Sequence, residues 1–191
     1  NSYLELAKKI PVAGDYDVIV VGGGPAGCAA ALYSARHGAE TLLIEKDGYL
    51  GGAAVSQLVC VILSTNAVDF QGIWHEFMEV MKNKGGVYDD KIEVKQNGRV
   101  TGTIDPEIVK YAWDELLGEA GVKILHHVWV SDVIAEDKTI KGVVIETKAG
   151  RRAVFGHRVI DCTGDGFVCA QAGVSWEQGS DTSKYAMACT K

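Results

Sequence analysis

One junction near the start of the chain limits its fold more than any other feature. Tyr16 to Val21 is an apolar, β-branched run, Gly22-Gly23-Gly24-Pro25-Ala26-Gly27 follows at once, and an alanine-rich stretch continues to His37 ahead of Gly38. The run predicts a strand buried on both faces. A proline in the first turn and a glycine just past the end predict a helix over Pro25 to His37. The G-x-G-x-x-G pattern therefore falls at a strand-to-helix turn, where its mechanism requires it. Gly22 allows the tight turn, Gly24 lets a pyrophosphate approach the backbone, and Gly27 lets the helix pack closely on the strand. Pro25 and Ala26 open the helix, whose first turn offers unpaired N–H groups to an anion.

Thr41 to Glu45 reads as a second buried strand and completes a βαβ unit. Glu45 lies about twenty residues beyond the glycines, the interval expected for a carboxylate that accepts hydrogen bonds from ribose hydroxyls and repels a 2′-phosphate. Strand, glycines, helix, strand and acid in this order predict a dinucleotide site. The fingerprint alone does not decide between NAD and FAD.

The rest of the chain alternates in the same way. Phe70, Ile73, Trp74, Phe77, Met78 and Met81 form a core-facing stripe on a helix over Phe70 to Lys84, ended by Gly85 and Gly86. Asn97-Gly98 inside Lys91 to Thr103 predicts a hairpin with a two-residue turn, part of a small sheet beside the main one. Asp105 as N-cap and Pro106 in the first turn predict a helix that reaches Gly121, with Ile108, Val109, Ala112, Leu116 and Leu117 on its apolar face. Val122 to Leu125 is a short strand. Val128 to Ala135, Ile140 to Thr147 and Arg151 to Phe155 predict an antiparallel meander, and Arg158 to Asp161 a further strand leading into Cys162-Thr163-Gly164-Asp165-Gly166.

Charge and composition narrow the function. The 191 residues carry a net charge of −6 without a Lys/Arg cluster, which argues against a nucleic-acid partner. No apolar run reaches the roughly 18 to 20 residues of a membrane span, and residues 1–10 lack the order of a signal peptide, so a cytoplasmic setting is expected. The five cysteines are spread without a C-x-x-C pair, which predicts reduced thiols; Cys60 and Cys162 stand out because they lie near the motifs. No metal site is expected: His126 and His127 point to opposite faces of a strand, and His75-Glu76 lacks the second histidine of a zinc helix.

Asp17 to Gly27, Glu45-Lys46, Gly51-Gly52 and Ile160 to Gly166 together resemble the FAD-dependent oxidoreductases of the glutathione-reductase structural type, over most of the chain. The resemblance implies an α/β, Rossmann-like FAD/NAD(P)-binding fold with a parallel central sheet and an antiparallel β-meander. It implies FAD as the cofactor and a small-molecule substrate that yields a hydride to it. Gly51, Gly52 and Ala53 would then lie against the pyrophosphate and ribityl chain, with Lys46 beside the acid. Thr163, Gly164 and Asp165 would approach the phosphates or ribityl hydroxyls, and the backbone of Val130 would meet the adenine edge. Cys162 replaces the family's usual alanine. Ser56 and Gln57 are polar candidates near the flavin ring, without an assigned catalytic role.

The resemblance further divides the chain into an N-terminal extension over residues 1–15, an FAD-binding domain over 16–174 with a helical and hairpin insertion at about 55–104, and the start of a substrate domain or a tail over 175–191. The remainder of a chain or a second subunit is therefore an expected partner, and a non-catalytic or split-subunit dinucleotide module is the alternative function. Thiazole-synthase-like consumption of NAD shares a similar βαβ start; the Thr-Gly-Asp segment and the meander favour FAD.

Overall fold

A computed structural model describes residues 7, 9–64, 72–88, 93–94 and 100–177. Among them, β1 (Val12–Val21), β2 (Thr41–Ile44), β6 (Lys123–Leu125), β7 (Trp129–Glu136), β8 (Thr139–Thr147) and β9 (Gly150–Asp161) form one six-stranded sheet in the order β6-β2-β1-β9-β8-β7. The β6-β2-β1-β9 half is parallel, and β9-β8-β7 is an antiparallel meander. The α/β architecture and the meander match the sequence reading. The helix α1 (Pro25–Arg36) connects β1 to β2, and α4 (Pro106–Glu119) leads to β6.

Strand β9 corrects that reading. Arg151 to Phe155 and Arg158 to Asp161 are one continuous strand, not two. Gly156 looks like a break, yet it pairs with Tyr16, and a Cβ on it would lie 2.8 Å from the Ile19 side chain. A glycine inside a strand here marks a close approach, not a turn. The strand thus belongs to both halves of the sheet, antiparallel to β8 through Gly150–Phe155 and parallel to β1 as far as Asp161.

Strand β1 also begins earlier than expected, at Val12, so the sheet extends into the stretch read as an N-terminal extension. Residues 1–6 and 8 of that stretch lie outside the described residues. Between Val12 and Gly14 the register with β9 shifts, and Val12 is exposed, which is why Gly14-Asp15 lacks the look of a buried strand.

Alternation along β1 and β2 supplies two cores. Val20 and Leu43 face the α1 side, where α3 (Ile73–Asn83) and α4 add Phe77, Met81, Trp113 and Leu117. Ile19, Val21, Leu42 and Ile44 face the other side and pack with Val143, Ile145 and Val154 of the meander. Val168 of the short α5 (Phe167–Gln171) joins that second core. Phe77 stacks on Trp113 with ring centroids 4.5 Å apart. Each such fully buried side chain contributes about 1.5 to 3 kcal/mol of hydrophobic free energy.

Helices α3 and α4 follow their sequence signals. The Asp105 carboxylate accepts the Glu107 and Ile108 N–H groups at the start of α4. Gly86 N–H closes α3 on the Met81 carbonyl. Phe70, read as the start of the α3 stripe, lies outside the described residues. The small sheet has three strands, β3 (Val61–Ser64), β5 (Val100–Thr103) and β4 (Glu93–Val94). Its hairpin pairs Val94 with Val100, a register centred on residue 97 and not between Asn97 and Gly98 as a two-residue turn requires; that turn itself lies outside the described residues.

Candidate functional site

The parallel strands β2, β1 and β9 end side by side, so the loops that follow them meet at one edge of the sheet. Gly22 N–H donates to the Ile44 carbonyl and Cys162 N–H to the Val21 carbonyl, which locks the three strand ends together. Open α/β sheets bind ligands outside the carboxyl ends of their strands. Most of the residues singled out in the sequence converge there.

Gly22 has φ +103°, a conformation that favours glycine, and a Cβ on it would stand 2.3 Å from the Cys162 carbonyl oxygen. A Cβ on Gly27 would stand 1.7 Å from the Gly22 oxygen, so α1 lies directly on the turn. Gly24 differs from both. Its backbone is extended, and an added Cβ meets nothing nearer than the Gly52 Cα at 3.9 Å. Pro25 and Ala26 are exposed beside it at the mouth of α1.

Glu45 is buried, 6% exposed, with both carboxylate oxygens engaged. Oε2 accepts the Gly23 N–H at 2.5 Å and Oε1 accepts the Asp47 N–H at 2.8 Å. Gly23 is the fingerprint residue for which the sequence reading had no role. A Cβ there would lie 2.9 Å from Glu45 Oε2 and 2.5 Å from Leu50 Cδ2, so the second glycine of the triplet makes room for the acid. Each oxygen of Glu45 keeps a further lone pair. Lys46 is exposed, and its ammonium pairs with Asp47 Oδ2 at 2.9 Å, a bond that raises its pKa.

The Gly51-Gly52 pair is fastened to the fingerprint. Gly51 N–H donates to the Gly23 carbonyl at 2.9 Å, and a Cβ on Gly52 would come within 2.8 Å of the Gly24 Cα. A Cβ on Gly51 would strike Val55 and Val109, so that glycine serves packing under α4. Ala53 is exposed at the start of α2 (Ala53–Ser56), and the Ser56 hydroxyl donates back to the Gly52 carbonyl.

Val130 lies on β7, the last strand of the sheet order, with its side chain against the second core. The segment before it, between β6 and β7, is tied to the loop that carries the acid: Val128 N–H donates to the Glu45 carbonyl and His127 N–H to that of Asp47. The start of β7 and the end of β2 therefore form one rim of the site.

Thr163, Gly164 and Asp165 follow β9 on the other rim. The Thr163 hydroxyl donates to Asp161 Oδ1 at 2.7 Å and accepts the Phe167 N–H at 3.0 Å. Asp161 Oδ1 also accepts the Thr163 N–H, and Oδ2 accepts that of Cys169. Burial pushes the Asp161 carboxyl up, but these hydrogen bonds outweigh it and hold the pKa below the ordinary carboxylate value. The sequence reading passed over Asp161, whose signal was an acid two residues before a threonine at the end of a buried strand. Gly164 and Asp165 are exposed.

Cys28, Cys60, Cys162 and Cys169 are free thiols. Burial pushes the Cys28 thiol strongly up, and its Sγ bonds to the Gly23 carbonyl at 3.2 Å. Burial and then the Asp161 charge raise Cys162, so neither carries the thiolate that redox chemistry needs. Among the described residues no group of three or more His, Cys, Asp or Glu is placed to hold a metal ion, and no helix is long and apolar enough to cross a membrane.

Comparison with known proteins agrees with this geometry. The chain is 31% identical over 171 residues to the thiamine thiazole synthase of Pyrococcus horikoshii, which covers 82% of this chain and 60% of the synthase. It is 28% identical to the uncharacterized protein in the nifH2 5′ region of Methanosarcina barkeri, over 90% of this chain and 94% of that protein. Among solved structures, the geranylgeranyl bacteriochlorophyll reductase-like protein of Thermoplasma acidophilum superposes with a TM-score of 0.66 at 22% identity, over 84% of this chain and 42% of its own. That likeness shows the fold alone. Residues 17–190 match the family described as FAD dependent oxidoreductase, and the chain belongs to that family of FAD-binding flavoproteins.

Proposed function

We propose that this protein holds FAD across the strand ends described above and uses it to oxidise a small organic substrate. The observation that carries the reading is the space in front of Gly24. A Cβ on Gly22 or Gly27 would strike backbone, whereas one on Gly24 would enter a cradle open to the first turn of α1. That cradle fits a phosphate: Gly24 keeps it clear, and the unpaired N–H groups of the first turn face an anion.

In this reading Gly22, Gly24, Pro25, Ala26 and Gly27 form the pyrophosphate turn. Glu45 orients the ribose through its remaining lone pairs, with Lys46 at the rim, and the Val130 backbone meets the adenine edge. Gly51, Gly52 and Ala53 flank the pyrophosphate and ribityl chain, and Thr163, Gly164 and Asp165 close the opposite side. When bound, FAD supplies two-electron chemistry by accepting a hydride; the chain binds, orients and excludes water. Ser56 and Gln57 lie beyond the Gly51-Gly52 turn without an assigned catalytic role. Residues 16–174 form the FAD-binding unit in this proposal, in a cytoplasmic setting. Residues 178–191, at the expected entry to a substrate domain, lie outside the described residues.

A second reading is thiazole synthesis, favoured by the 31% identity to a thiamine thiazole synthase. A third is a dinucleotide module that needs another polypeptide for activity. An absorption spectrum of the purified protein, with mass spectrometry of what acid releases, separates them. Flavin absorbance and released FAD support the oxidoreductase, and bleaching by a substrate in the absence of oxygen establishes it. Flavin that no substrate bleaches without an added subunit supports the module. A colourless protein that releases an NAD-derived adenylated product supports thiazole synthesis.

A further inference from the structure

Trp129 is 60% exposed on β7. Single exposed aromatics are common and need no explanation. The surroundings of this one set it apart. The Lys46 ammonium lies 5.8 Å from its ring centroid and pairs with Asp47 Oδ2 at 2.9 Å. The loop that carries both residues is pinned against the segment leading to Trp129. Val128 N–H bonds to the Glu45 carbonyl at 3.1 Å and His127 N–H to that of Asp47 at 3.2 Å. The His127 ring, in turn, occupies the space where a Gly48 Cβ would lie, 2.7 Å from its Cε1. An indole face is thus presented next to a segment fastened to the backbone of Glu45, the residue that the cofactor reading gives to the ribose.

We propose that Trp129 is the stacking wall for the adenine of the dinucleotide. The inference rests on the cofactor reading above and adds to it a residue that the glycine fingerprint does not point to. The base of an adenosine lies one glycosidic bond from its ribose, and Trp129 is one residue from the backbone hydrogen bond to Glu45. Strand β7 is the last of the sheet order, so the backbone of neighbouring Val130 is available to the edge of a base whose face rests on the indole. The electron-rich face that attracts the Lys46 ammonium also stacks a purine. Lys46 is exposed, and its long side chain can turn aside into solvent when the base arrives.

Titration of the purified protein and its variants with FAD and with FMN, which lacks the adenosine, tests the assignment by affinity and not by turnover. Trp129→Ala is expected to raise the Kd for FAD about tenfold, the usual consequence of removing one aromatic from a base stack, while Trp129→Phe stays close to the unmodified protein. The Kd for FMN is expected to be the same in all three. An unchanged Kd for FAD in Trp129→Ala would overturn the proposal, as would an equal loss for FAD and FMN, which marks a structural defect. An unmodified protein that binds no FAD would overturn the cofactor reading and this inference with it.

Discussion

The turn after β1 and the turn after β9 leave neighbouring parallel strands and are both glycine-rich, yet glycine serves a different end in each. In the first, Gly22 and Gly27 are required by the protein itself, because a Cβ on either would meet backbone oxygen at 2.3 Å or 1.7 Å. In the second, a Cβ on Gly164 or Gly166 meets nothing within 4 Å. There the shape is held by polar side chains: Asp161 and Thr163 collect the N–H groups of Thr163, Phe167 and Cys169. The first turn is a packing device with one opening, at Gly24. The second is a capped loop whose glycines answer to backbone conformation and not to space, with φ of +83° at Gly164 and +67° at Gly166.

The sharpest way to break this contrast is Gly27→Val, which should separate α1 from the β1 turn and destabilise the protein by at least about 3 kcal/mol in chemical denaturation. A stable variant would mean that the helix can lift off the turn. Glu45→Ala leaves the Gly23 and Asp47 N–H groups without their acceptor and should cost about 2 to 3 kcal/mol of stability. Calorimetry should also show FAD binding weakened by about 1.5 to 3 kcal/mol.

Asp161→Asn tests the polar support of the second turn, with an expected loss of about 2 kcal/mol at neutral pH. The Asp161 pKa is depressed in the fold. Its stabilisation is therefore fully present above the unfolded carboxylate value and lost as pH falls through the folded one. Stability curves of parent and Asp161→Asn should converge in acid, and parallel curves would assign the anchor elsewhere. The smallest effect belongs to Gly164→Ala. Its φ of +83° disfavours a Cβ but no atom blocks one, so thermal unfolding should register only about 1 to 2 kcal/mol.

The same contrast explains what the sequence revealed. The first turn was legible because its strand, glycines, helix and acid each leave a local mark at a fixed spacing. The αβ alternation and the Asp105 cap of α4 were legible for that reason too. Strand β9 was not, because Gly156-His157 has the composition of a turn and only its pairing with β1 in the folded sheet makes it strand. Glu45 was assigned to a ligand from its spacing, but its buried bonds to Gly23 and Asp47 depend on the folded loop. Asp161 escaped notice because its partners, as far away as Cys169, become its neighbours only once α5 forms. Trp129 was hidden by strand patterning, in which an outward aromatic looks like any other exposed residue.

The central claim is that Gly24 is kept bare for the cofactor and not for the protein. Its extended backbone accepts any residue, and an added Cβ meets only the Gly52 Cα, at an ordinary contact distance of 3.9 Å. Titration of FAD into the purified protein and into Gly24→Val, with an unfolding curve for each, tests this directly. The account predicts that Gly24→Val folds with a stability within about 0.5 kcal/mol of the parent and binds no FAD. A folded variant that retains FAD affinity would contradict it.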